Sequence, residues 1–265
     1  MAHRPRWQIV GVNTLCDELT AEHEDLDRIV AGADLEVVTP APGWTVRDQI
    51  THLWFFDGRA LMALTDPDAF RLDAEQLLRD GTDGANEQGR DLPSDELLDR
   101  WRADRRHLVE VARTVDPKLR VPWYGPAMGA RSFITARLME TWAHGQDVVD
   151  ALHAHRQPTD RLRHVAHIGV GARPFSYVAN GREPNETPVR VELVGPSGDT
   201  WTWGPEEAAD RVTGPALDFC LLVTQRRHRD DVAVTAQGAA ADEWLDIAQS
   251  FAGPPGEGRQ PGQFD

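Results

Sequence analysis

The chain has 265 residues, of which 40% are hydrophobic, enough for a packed core and too apolar for wholesale disorder. Its formal net charge is -15, from 28 Lys+Arg against 43 Asp+Glu, a field that repels phosphate backbones and anionic lipid and argues against nucleic-acid and membrane partners. No apolar run approaches the roughly 18 residues of a membrane span, and the first residues carry no apolar stretch of the kind a secretion signal needs, so a cytoplasmic protein is expected, with Cys16 and Cys220 as two buried free thiols.

The run 14–30 spaces Leu15, Leu19, Leu26, Ile29 and Val30 on one helical face. "VVTPAPGW" breaks it. A second helix opens at Thr45, whose partner three residues on, Asp48, completes the pattern of a capping box with Asp in place of Glu. Residues 66–93 are polar and rich in Asp, Gly and Asn, and read as a long connection with one short helix. From Ser94 to about 115, Leu97, Leu98, Trp101, Leu108 and Val111 recur at helical spacing. "VPWYGPAMG" interrupts, and a fourth long helix covers about 131–153. Four long helices with one long crossover are the sequence pattern of a four-helix bundle.

A helix-compatible run at 160–178 follows, then "NGREPNETP", which reads as a linker. Beyond it the texture changes. "VRVELVG" alternates as a strand does, and "DTWTWG" follows across a Gly-Pro-Ser-Gly turn, so the two form a hairpin. "TGPALDFCLLVTQR" reads as a helix with Thr213 near its cap, "DDVAVTA" as a short strand and "AAADEWLDIAQSF" as a helix. The fold class is therefore α+β. A helical bundle spans about 10–180, a small α+β domain about 186–255, and a Pro/Gly-rich tail 256–265.

The chemistry-bearing stretch is "RLMETWAHGQDVVDALH". Glu140 and His144 are four residues apart on a helix and so project side by side, with Asp147 one turn on. A carboxylate and an imidazole at that spacing chelate a divalent ion such as zinc, and bundles build metal sites from inward-facing side chains of different helices. His52, mid-helix among Ile50, Leu53, Trp54 and Phe56, is the best third ligand. The same spacing also describes a solvated helix face, and His164 and His167 form a rival pair, so spacing alone leaves the matter open. There is no Walker-type Gly-Lys-Ser/Thr, no GxGxxG after a strand and no Gly-x-Ser-x-Gly.

The stretch "PAPGWTVRDQITHLWFFDGRA" followed, after a crossover, by "ETWAHGQDVVDAL" resembles the mycothiol-dependent maleylpyruvate isomerase family. The likeness covers residues 10–258 and is closest to an actinobacterial subgroup sharing "RLMETWAHGQDV", "RLRHVAHIGV" and "DFCLLVTQRRH". The resemblance implies a DinB-like metal-binding bundle with an appended small α+β domain. It implies zinc held by His52, Glu140 and His144, and an Arg of the small domain, Arg226 or Arg227, contributing to the active site. It implies mycothiol as cofactor or co-substrate, and a small-molecule substrate.

A zinc thiolate at such a site adds to an activated double bond or displaces a leaving group, hence an isomerase or a thiol transferase. Asp147 could orient a ligand imidazole, and Trp54, Trp123, Tyr124 and Trp142 could wall the cofactor pocket, although a core role suits each tryptophan as well. "VPWYGPAMGARSF" and "RLRHVAHIGVGARPFSY" depart from the isomerases, which leaves the substrate open. The rival classes are a thiol-independent hydrolase or lyase of the same fold, and a metal- or ligand-binding module without turnover.

Overall fold

The structure, a computed structural model, describes residues 11–81, 83–253 and 255–264. The chain divides into two compact units, Met1–His155 and Arg156–Asp265.

The first unit is built on four long helices: α1 (Val12–Val30), α2 (Val46–Thr65), α5 (Ser94–Ala112) and α6 (Ala130–Ala151). Neighbouring helices pack around a ring in the order α1, α6, α2, α5. The capping box at Thr45 forms in full, with the Thr45 backbone N–H donating to Asp48 Oδ2 at 2.9 Å and Asp48 N reaching back to the Thr45 hydroxyl. That fixes where α2 begins, and so which residues reach the interior. Leu26, Val30, Ile50, Leu53, Leu97, Trp101 and Val148 meet in one buried cluster drawn from all four helices. The α6 helix is buried on most of its circumference, as a helix packed on both sides must be.

The crossover corrects the sequence reading. Where one short helix was expected, residues 66–93 hold a 14-residue helix α3 (Pro67–Asp80), a 3-10 turn (Asp83–Asn86) and a short α4 (Glu87–Arg90). Asp66 caps α3 by accepting from Ala69 N at 3.0 Å, and Pro67 occupies the first turn. Phe70 and Ala74, one turn apart, bury against Ala60, Ala63, Leu108 and Phe133. A two-residue ladder also forms before α6, β1 (Arg120–Val121) against β2 (Met128–Gly129), where only a break was expected.

In the second unit the run 160–178 forms two helices, α7 (Leu162–Gly171) and α8 (Arg173–Ala179), interrupted at Ala172 ahead of Pro174. The sequence grouped this run with the bundle. Its packing partner α9 (Ala216–Val223) belongs with the sheet, and Gly169 lies against Val223 closely enough that a Cβ would clash. The sheet runs β4 (Thr200–Trp203), β3 (Val189–Val194), β5 (Asp210–Pro215), β6 (Thr235–Gln237). The β3–β4 hairpin is antiparallel, as its alternation predicts.

Thr213 does not cap a helix. It lies within β5, which pairs in parallel with β3 and antiparallel with β6, and its hydroxyl meets that of Thr235 at 2.8 Å. "DRVTGP" carries too little alternation to read as a strand, and its Gly-Pro reads as a turn. Gly214 sits at φ 152, where a Cβ would lie 2.6 Å from Ala233 O, so only glycine lets the chain pass. Helix α10 (Ala239–Ile247) closes the unit, its first amides donating to Asp210 Oδ2 at 2.7 and 3.1 Å. Cys16 and Cys220 are buried free thiols, one in each unit. Among the described residues no helix is long and apolar enough to cross a membrane.

Candidate metal centre

The α2 and α6 helices bring His52, Glu140 and His144 together. One ligand atom from each lies within 4.8 Å of the others, a set that two imidazoles and a carboxylate can close around a single divalent ion. Glu140 Oε2 is 3.4 Å from His144 Nε2, and the imidazole rings of His52 and His144 are 4.4 Å apart. Both members of the Glu140–His144 pair are largely withdrawn from solvent, with side chains 25% and 12% exposed. Two neutral imidazoles with one carboxylate suit zinc and leave a coordination position for another molecule.

A chain of hydrogen bonds, not visible as a sequence motif, sets the tautomer of His144. The carbonyl of Trp44 can only accept, and the Thr39 hydroxyl donates to it at 2.9 Å. The hydroxyl can then only accept from Gln49, whose Nε2 lies 3.2 Å away. The Gln49 amide is thereby oriented with Oε1 toward His144 Nδ1, at 2.6 Å. An oxygen there requires a proton on Nδ1, which leaves the lone pair on Nε2, facing Glu140. Gln49 is completely buried, so the arrangement does not exchange with water. The sequence reading allowed Asp147 to orient one of the ligand imidazoles; at His144 the Nδ1 position is taken by Gln49. Asp147 itself is buried one turn beyond His144 on α6.

Trp44 and Phe56 form the walls. The Trp44 indole stacks on His144 at 5.9 Å with an interplanar angle of 15° and lies 5.1 Å from His52, and Phe56 is 4.6 Å from His52. Both flank His52 in the sequence, Phe56 one helical turn beyond it. Trp54, two residues from His52, projects toward α5, where its indole N–H donates to Asp104 Oδ2 at 2.6 Å. Trp123 and Tyr124 meet Phe56 at 6.5 and 5.8 Å, and Trp123 stacks on Phe70 at 5.3 Å. They form a layer behind Phe56. Burial pushes the Tyr124 phenol up to about 12, so it stays protonated at neutral pH. Trp142 is buried on α6. Arg226 and Arg227 follow α9 in the second unit, each half-buried, with Arg227 over the Phe264 ring at 3.8 Å.

One further pair fixes the two ligand-bearing helices to each other. Asp57 on α2 and Arg137 on α6 form a buried ion pair, with Oδ1 accepting from Nη2 at 2.8 Å and from Nε at 3.1 Å. Burial pushes the Asp57 carboxyl up, and Arg137 opposes it.

A family profile described as the mycothiol maleylpyruvate isomerase N-terminal domain matches residues 18–149, the segment that carries all three candidate ligands. The chain belongs to the mycothiol-dependent maleylpyruvate isomerase family. Two relatives, uncharacterised proteins from two strains of Mycobacterium tuberculosis, are each 48% identical over 252 residues, covering 91% of this chain and 96% of theirs. A crystal structure of the mycothiol-dependent maleylpyruvate isomerase superposes with a TM-score of 0.58, covering 88% of this chain and 95% of that one. A mutant form of that enzyme gives the same TM-score. Identities of 16% and 15% make these likenesses of fold. A second profile, described as wyosine base formation, matches residues 185–237, the sheet region of the second unit.

Proposed function

We propose that this member of the maleylpyruvate isomerase family is a zinc-dependent enzyme that uses a low-molecular-weight thiol, mycothiol, to isomerise a small electrophile or to transfer the thiol to it. The observation that carries the reading is the donor set itself, two imidazoles and one carboxylate on α2 and α6, with His144 held in a single tautomer by Gln49. A zinc ion bound there supplies Lewis acidity and lowers the pKa of a thiol that coordinates it. His52, Glu140 and His144 hold the ion. Gln49 keeps the proton on His144 Nδ1, and Trp44 and Phe56 shield the imidazoles from water, which strengthens every charge interaction in the site. Trp123 and Tyr124, behind Phe56, shape the wall against which an apolar part of the cofactor or substrate rests. Arg226 or Arg227 takes, from the family resemblance, the task of pairing with a carboxylate of the thiol or of the substrate.

The test is a calorimetric titration of mycothiol into the zinc-loaded protein and into the His144→Ala variant. The reading expects saturable binding in the first and none in the second, with the variant retaining its helical circular-dichroism signal and losing stoichiometric metal. A variant that still carries one metal per chain would overturn the ligand assignment. Absence of thiol binding to a protein that carries zinc would turn the reading toward a thiol-independent hydrolase of the same fold.

A further inference from the structure

Helix α9 ends in a Schellman motif that fixes the backbone of the two arginines after it. Gln225, at φ 59, takes the left-handed conformation and donates its N–H to the Leu222 carbonyl at 2.9 Å. The Arg226 N–H reaches the Leu221 carbonyl at 2.7 Å, and the Arg227 N–H shares that acceptor at 3.3 Å. The two side chains then part. Arg226 turns Nη1 back onto the Thr224 carbonyl. Arg227 sets Nη1 on the Arg226 carbonyl at 2.6 Å and places its Cζ over the ring of Phe264, 3.8 Å from the centroid.

Phe264 lies in the Pro/Gly-rich stretch beyond α10, and polar contacts hold that stretch in place. The Gly262 N–H donates to Asp231 Oδ1 at 2.9 Å, at the end of the 3-10 turn Arg229–Asp231 that follows the arginines. Gln263 N donates to the Gln260 carbonyl at 3.3 Å and Gln260 N to Gln263 Oε1 at 3.1 Å, which closes a turn just ahead of the phenylalanine. Gly262 sits in that turn at φ 69, a conformation that suits glycine. Upstream, the buried Gln249 donates Nε2 to the carbonyls of Phe251 and Gly253 at 2.9 and 3.0 Å, fixing where the stretch leaves α10. The half-buried Phe264 ring is therefore delivered to Arg227 by a folded segment.

At 3.8 Å the two flat groups touch face to face. A ring on the face of a guanidinium does not compete with a carboxylate at its edge, because the cation–π contact uses the flat face and bidentate pairing uses N–H groups in the plane. Phe264 thus restricts the plane of Arg227 without covering the edge that recognises a carboxylate. An arginine held in this way loses less rotamer freedom when it pairs. We propose that Phe264 is a positioning residue, which holds Arg227, rather than Arg226, as the arginine that pairs with a carboxylate of the substrate. The proposal rests on the thiol-dependent reading above, and adds to it which arginine acts and what presets it.

The probe is succinate, an unreactive dicarboxylate, titrated calorimetrically into the full chain already loaded with zinc and mycothiol. Saturable binding is expected, weakened at least about tenfold by Arg227→Gln and less by Arg226→Gln. Phe264→Leu should weaken it about three- to tenfold while zinc content and mycothiol affinity stay as in wild type, and Phe264→Tyr, which keeps a ring on the guanidinium, should restore it. In the Arg227→Gln background Phe264→Leu should cost nothing more, since the phenylalanine acts through that arginine. Absence of mycothiol binding to the zinc-loaded wild type removes the thiol reading and this proposal together. With mycothiol bound, the proposal alone is overturned by any of three results: succinate that does not saturate, an Arg226→Gln loss as large as that of Arg227→Gln, or a Phe264→Leu variant that binds as wild type does or loses as much again without Arg227.

Discussion

Gln49 and His23 show how a single buried polar group can serve the site or the fold. Gln49 costs α2 nothing at its surface, because it is spent entirely on Thr39 and His144. Its replacement by Leu keeps the volume roughly and removes the acceptor that Gln49 Oε1 offers to His144 Nδ1. Partners of this kind are worth about 10- to 100-fold in metal affinity, so Gln49→Leu should weaken zinc binding by that much in a competition titration with a chromophoric chelator. An unchanged affinity would mean that His144 does not need orienting. His23, on α1, is buried against Trp101, and burial first, then Arg105 and Arg137, hold its imidazole well below the ordinary histidine range. The folded chain therefore refuses a proton that the unfolded chain accepts below about pH 6.5. Stability should be intact above that pH and fall below it, by at most ~1.4 kcal/mol per pH unit from this group. Thermal melts of the metal-free protein between neutral and mildly acid pH should show a steeper decline than those of His23→Gln; superimposable curves would rule the effect out.

Among the elements, the pairing of α2 with α6 decides whether there is a site. Each helix would form from its own pattern, but His52 meets Glu140 and His144 only at one register of the two. The Asp57–Arg137 ion pair, with Asp57 wholly buried, sets that register. Arg137→Met strands a buried carboxylate and should cost roughly 3–5 kcal/mol in a denaturant titration. Replacing both partners, Asp57→Leu with Arg137→Met, should recover much of that loss, since an apolar pair of similar volume needs no desolvation. If the double variant is as unstable as the single, the pair does more than fix packing. The crossover teaches a related lesson. The Asp66–Pro67 start signal of α3 was present in the sequence and the polar run after it concealed a helix, because only Phe70 and Ala74 of its first two turns reach the core.

For the whole chain, a metal that binds the folded first unit and not the unfolded chain must stabilise it by mass action. At about 100 times the dissociation constant the gain is about 2.7 kcal/mol. Hydrogen exchange with and without zinc should then show added protection in α2 and α6, and none should appear in His144→Ala. Protection gained equally in the variant would place the metal elsewhere. Exchange in α7 to α10 reports the second unit by itself.

By itself the sequence determined what is local. Helical periodicity gave α1, α2, α5 and α6, the Thr45–Asp48 box gave the start of α2, and i,i+4 spacing put Glu140 beside His144, because each follows from chemistry within a turn or two of chain. The third ligand, His52, was a candidate from its apolar helical surroundings, but pairing it with Glu140 needed the family likeness or the fold, since nothing local ties residue 52 to residue 140. Tertiary structure alone decided that Trp54 serves α5 while Trp44 and Phe56 line the centre, that Gln49 holds His144, and that "DRVTGP" is a strand. Each of these depends on a partner distant in sequence, a carboxylate on α5, an imidazole on α6, or a parallel neighbour in β3, and propensity carries no information about partners.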